Sequence, residues 1–115
     1  MKKAKLRVKR RFNVGSARVD ELIARATVDC YNESEQLCGI FTMMEENLVF
    51  PFTTAILGVE VVVERVDLTE AEEIVAVCRR GRARQRIPIL DLPLPAPRPA
   101  GAEWIEAYRR WCRGK

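Results

Sequence analysis

The sequence predicts an α+β domain: N-terminal helices packed on a small four- to five-stranded antiparallel barrel, SH3-like and partly open, plus a C-terminal helix. Three observations carry that prediction. In the front half, Val19, Leu22, Ile23 and Ala26 repeat with the period of an amphipathic helix. From residue 53 the pattern changes to short runs rich in β-branched residues, separated by glycine. After a proline-rich stretch, Trp104, Ile105, Tyr108 and Trp111 return to helical spacing.

Residues 1–16 read as a basic, flexible arm ahead of a single domain spanning 17–115. VDELIARATVDCY is the first helix, with Ser16 as its expected N-cap and Asp20 and Glu21 in its first turn. Asn32 followed by Glu35 has the spacing of a capping box, which places a break at Asn32 and a second helix after it. In that helix Leu37, Phe41, Met44 and Leu48 form one apolar stripe, and Pro51 ends it by disfavouring helical geometry at Phe50. Tyr31, Phe41, Phe50 and Phe52 are expected in the core.

TTAIL and VEVVVERV read as strands with Gly58 between them. EEIVAVCRR is a third strand, RRGRAR a turn around Gly81, and RQRIPILDL a fourth strand. Pro88 cannot donate to a sheet ladder, so the fourth run belongs at an edge or a bulge. LPLPAPRP, residues 92–99, has four prolines and reads as an extended strap that leads the final helix back to the body.

Composition removes whole classes of function. With 48% hydrophobic residues the chain is expected to fold, and its 115 residues suit one core without metal or disulfide staples. There is no histidine, which excludes His-dependent triads and His-ligated metals. Cys30, Cys38, Cys78 and Cys112 form no C-x-x-C pair, so neither a zinc ribbon nor a thioredoxin-type site is expected. Cys112 is the thiol expected to be exposed. No nucleophile stands with a base and no cofactor cradle is evident, so no enzyme is expected. The basic start runs into polar sequence rather than an apolar core, and no apolar run reaches the ~20 residues that span a bilayer. A cytoplasmic protein with reduced thiols and no membrane partner is the resulting expectation.

Charge is distributed in blocks around a net +4. Residues 1–12 carry seven bases and no acid, residues 29–73 carry eleven acids and only Arg65, and residues 79–86 carry five arginines. Within the acidic block Glu33, Glu35, Glu45 and Glu46 lie on the second helix. Carboxylates suit Ca²⁺, a hard cation that takes six to eight oxygens, yet no EF-hand loop is present. On a helix Glu35 and Glu46 lie about 160° and 180° from Leu37 and roughly 16 Å apart, so they cannot share one ion. Glu45 and Glu46 would need Asp67 or Asp91 from the sheet, with Asp29, Glu33 and Glu35 as a second group. The alternative is a solvated helix face, with Glu33 and Glu35 favoured in a first turn by the helix dipole.

YNESEQ, GIFTMMEENLVFPF, VDL, RQRIPILDLPLP and GAEWIEAYRRW together resemble the family of small cyanobacterial-type calcium-binding proteins over roughly residues 20–112. That resemblance implies a helical half packed on a small β-barrel-like half. It also implies a non-EF-hand calcium buffer or sensor, with Ca²⁺ held by Glu33, Glu35, Glu45 and Glu46. Where that family often has aspartate before Asn-Leu, this chain has Glu46. The alternative function is a basic interaction module, in which Lys2–Arg11 and Arg79–Arg86 contact nucleic acid or an acidic protein partner.

Overall fold

A computed structural model describes residues 15–114. The basic arm assigned to residues 1–16, and with it the Lys2–Arg11 segment, lies outside the described residues except for Gly15 and Ser16. The elements are α1 (Ser16–Ala26), α2 (Glu33–Asn47), β1 (Phe52–Ile56), β2 (Val59–Leu68), β3 (Ile74–Arg80), β4 (Ala83–Pro88), a one-turn 3₁₀ helix (Ile89–Asp91) and α3 (Glu103–Arg113). The α+β class, the antiparallel sheet and the C-terminal helix are those expected.

The first two helices break where the capping residues dictate. The Asn32 side chain accepts a hydrogen bond from the Glu35 amide at 2.8 Å, and the Glu35 carboxylate accepts one from the Tyr31 amide at 2.6 Å. The other expected cap is corrected: Gly15 is the N-cap of α1, and Ser16 is its first residue. The Ser16 hydroxyl instead accepts a hydrogen bond from Arg110 of α3 at 3.1 Å. Leu37, Ile40 and Met44 are the buried stripe of α2, with Phe41 half-buried beside it. Tyr31, expected in the core, is 87% exposed, because it sits outside the helix at the break.

The sheet is a meander in the order β1-β2-β3-β4. It stays open, with β1 and β4 as its edges. Both outer hairpins use two-residue turns. Leu57 and Gly58 both take positive φ in the first, and in the second Gly81 alone has φ +60, the pattern of a type II′ turn. One irregularity interrupts the ladder: Val63 pairs with Cys78 and Arg65 with Val77, so Glu64 is an extra residue on β2, a β-bulge.

The helices cover one sheet face. Val63, Val66, Ile74, Ala76 and Cys78 from that face join Leu22, Ile40, Met44, Trp104 and Ile105 in one core. Tyr108 ties α3 to the sheet by accepting a hydrogen bond from the Ile74 amide at 3.4 Å, and burial pushes its pKa up to about 12. The proline-rich strap does lead the last helix back to the body. Thr54 of β1 donates to the Pro93 carbonyl at 2.6 Å, and Arg98 pairs with Glu106 of α3 at 2.7 Å. All four cysteines are free, but Cys38 is the exposed one and Cys112 is half-buried, because α3 turns that part of its last turn toward the body.

α1 and α2 meet at Gly39, where a Cβ would lie 2.1 Å from the Ala26 carbonyl oxygen. That oxygen is backbone and cannot rotate away. Gly39→Ala is therefore expected to destabilise the fold by about 1–3 kcal/mol, the cost of overpacking a closed contact, as read from the midpoint of urea unfolding. An unchanged midpoint would show that the helices separate without cost.

Candidate functional site

The sheet face opposite the helices carries the charge. Residues opposed across an antiparallel ladder share a face, so the register places Val62, Arg79 and Arg84 together, and likewise Arg65, Val77 and Arg86. The bulge adds Glu64, because it makes Glu64 and Arg65 successive outward residues of β2. Val77 lies between Arg65 and Arg86, and Val75 between Asp67 and Pro88. Both valines are buried although neither belongs to the helix-facing core. The long stems of the flanking arginines shield apolar surface while their heads stay in water.

The arginines are held in two clusters. Glu64 accepts from Arg79 at 2.7 Å and from Arg84 at 2.8 Å. Asp67 pairs with Arg65 and with Arg86, each at 3.4 Å. Each carboxylate is thus shared by two guanidinium groups. Arg84 and Arg86 remain more than half exposed at their side chains. At the hairpin end Arg80 donates to the Glu60 carbonyl at 3.0 Å, and Arg82 stands exposed on the turn. The outer face thus sets Arg65, Arg79, Arg84 and Arg86 against the carboxylates of Glu60, Glu64 and Asp67, with Arg82 on the adjoining turn, whereas Arg80, opposite Ala83, lies on the cavity side. The result is a face of fixed, excess positive charge.

Electrostatics follow from these contacts. Hydrogen bonds from Arg84 and then Arg79 hold the Glu64 carboxyl at a pKa of about 2, below its ordinary 4.5. The same partnership raises the Arg84 pKa further. On the helix-facing side of the same strands, burial pushes the Cys78 thiol up. Cys78 lines a cavity of about 400 Å³ with Ile56, Val61 and Ile87. Only strand and hairpin-turn residues line that cavity, and Leu57 at its rim is 98% exposed.

The four predicted metal-ligating residues are not gathered. Helix α2 runs unbroken from Glu33 to Asn47, which keeps Glu33 and Glu35 roughly 15–20 Å along the axis from Glu45 and Glu46. Glu35 is engaged in the helix cap. Glu46 is exposed, whereas Glu45 lines an open cleft with Phe41, Asp67 and Glu70. Asp91, the other sheet-side acid considered, lies in the 3₁₀ turn after β4. Among the described residues no three His, Cys, Asp or Glu side chains are placed to hold a metal ion. No described helix is long and apolar enough to cross a membrane.

Arg79–Arg86 was legible as a basic segment on a hairpin; Arg65, Glu64 and Asp67 were not recognised as parts of the same face. A signal for them exists. Apolar residues fall at 59, 61 and 63 and then at 66 and 68, so the alternation slips by one residue where the bulge lies. No protein-family model, curated protein or solved structure matches the chain.

The depressed Glu64 pKa fixes a pH dependence. A carboxyl whose pKa is lower in the folded than in the unfolded state contributes stability above the unfolded value, and that contribution is lost as pH falls through the folded one. Carbon-detected NMR titration is expected to find Glu64 ionising near 2. Unfolding midpoints should fall between about pH 4.5 and pH 2, less steeply in Glu64→Gln. A Glu64 midpoint above pH 4 would mean that the arginine contacts do not persist in solution.

Proposed function

We propose that this chain is a non-catalytic binding module that docks an anionic macromolecule on the outer face of its sheet. The supporting observation is the pair of arginine clusters around Glu64 and Asp67. A guanidinium offers five N–H donors, and a carboxylate shared between two arginines leaves most of them available. The shared acids also fix the arginine heads, so less side-chain freedom is lost when a phosphate or carboxylate docks.

Fluorescence anisotropy with a labelled oligonucleotide and with labelled polyglutamate tests this reading. At least one is expected to bind, with affinity falling steeply between about 50 and 200 mM salt. Arg84→Glu combined with Arg86→Glu, both at exposed side chains, is expected to weaken binding by at least ~10-fold. No binding to either polymer, or binding that the double reversal leaves untouched, would remove this face from the function.

A second reading is calcium binding at the cleft that Glu45 of α2 shares with Asp67, Glu70 and Arg86. Asp67 is already held by Arg65 and Arg86, so Glu45 and Glu70 would be the remaining carboxylates of a weak site completed by water. Calorimetric Ca²⁺ titration with a Mg²⁺ control is expected to give saturable heat that Glu45→Gln removes. A flat titration would leave these acids as a solvated surface.

A further inference from the structure

We infer that the partner is an extended polypeptide segment with carboxylates at alternate positions and aliphatic residues between them, added as a fifth strand to the open edge of β4. The inference rests on the anion-binding face proposed above. The two-residue turn at Gly81 and Arg82 makes Arg80 and Ala83 the closing, hydrogen-bonded pair of the hairpin. Pairs then alternate along an antiparallel ladder. Cys78–Gln85 and Ala76–Ile87 are therefore hydrogen-bonded pairs, whereas Arg84, Arg86 and Pro88 direct their backbone groups away from β3. Pro88 has no N–H, so its place in this series costs the ladder nothing. Arg84 and Arg86 are left presenting both N–H and C=O at the edge, with no strand beyond them among the described residues.

An incoming strand must match both sides of the sheet. Side chains that follow Arg84 and Arg86 onto the outer face meet their guanidinium groups and the rest of the arginine face, so carboxylates fit there. Side chains on the other side continue the line of Ala83, Gln85 and Ile87, which form the β4 margin of the 400 Å³ cavity, so aliphatic residues fit beside Ile87. The same charges discourage a second copy of this edge, which would set arginine against arginine. The opposite edge, β1, lacks this arginine pair; its Thr54 side chain meets the Pro93 carbonyl of the strap on the helix-facing side of the sheet.

The test uses the full chain and a labelled peptide of about eight residues, a usual strand length, alternating Glu and Val. Three comparisons accompany it. One peptide has the same composition with the glutamates grouped, one carries N-methyl groups on the amides that would face β4, and a single-stranded oligonucleotide has matched charge. The alternating peptide is expected to bind, and grouping or N-methylation to weaken it by at least ~10-fold, since both keep the charge while grouping breaks the side-chain alternation and N-methylation removes the ladder donors. Equal binding of the N-methylated peptide would overturn strand addition, as would binding of the oligonucleotide without the alternating peptide. In both cases the anion-binding face would stand. Failure of all probes would sink the face together with the inference.

Discussion

The β-bulge at Glu64 is the constraint on which the sheet depends. A regular strand cannot keep Val61 and Val63 on one face and also Val66 and Leu68, because side chains alternate strictly. One extra residue changes the parity, and both halves of β2 then supply apolar side chains to the helices. The change also brings two successive residues, Glu64 and Arg65, to the outer face. Glu64 accepts from Arg79 and Arg84 because the bulge puts it beside them. Core packing and the charged face thus have one origin in the chain.

The two faces of the sheet solve different problems. The inner face is covered by three helices over most of its length and left open at the hairpin ends, where no helix residue lines the cavity beside Cys78. On the outer face, no layer of secondary structure among the described residues covers Val75 and Val77; arginine stems flank Val77, and Pro88 lies beside Val75. Surface ion pairs of this kind add little stability singly. Their effect here is positional, because two carboxylates hold four guanidinium groups at fixed places along three strands.

Edge treatment is equally uneven. β1 meets the strap through the Thr54 side chain on its helix-facing side, whereas β4 ends in Pro88 and carries exposed arginines. Charge and proline are common means of protecting an edge from self-association. They also limit which strand can be accepted, which links the edge to the charged face above it. At the far end of the sheet, Ser34 of α2 donates to Glu72 in the β2–β3 turn, so the acidic turn is tied to the helices rather than to the arginines.

Much of the fold was determined by the sequence alone. The Asn32–Glu35 cap, the four β-branched runs and the restriction of the Pro88 run to an edge or a bulge are local effects, set by backbone geometry and side-chain period. The end of α2 is not, since the helix stops at Asn47, before the Phe50 that Pro51 constrains, and the Val49 amide bonds the Ala100 carbonyl. The basic hairpin was legible for the same reason. Ser16, Tyr31 and Cys112 were misplaced because a cap, a burial and a thiol's exposure depend on what another element brings: Arg110 to Ser16, the body of the domain to Cys112, and no covering element among the described residues to Tyr31. The acids of α2 point the same way, since a continuous helix holds Glu33 and Glu35 apart from Glu45 and Glu46 whatever their chemistry suits. Only the tertiary structure decided that Arg65, Arg79, Arg84 and Arg86 share one face with Glu64 and Asp67. Register and the bulge between distant segments set that arrangement, and neither follows from the composition of any one segment.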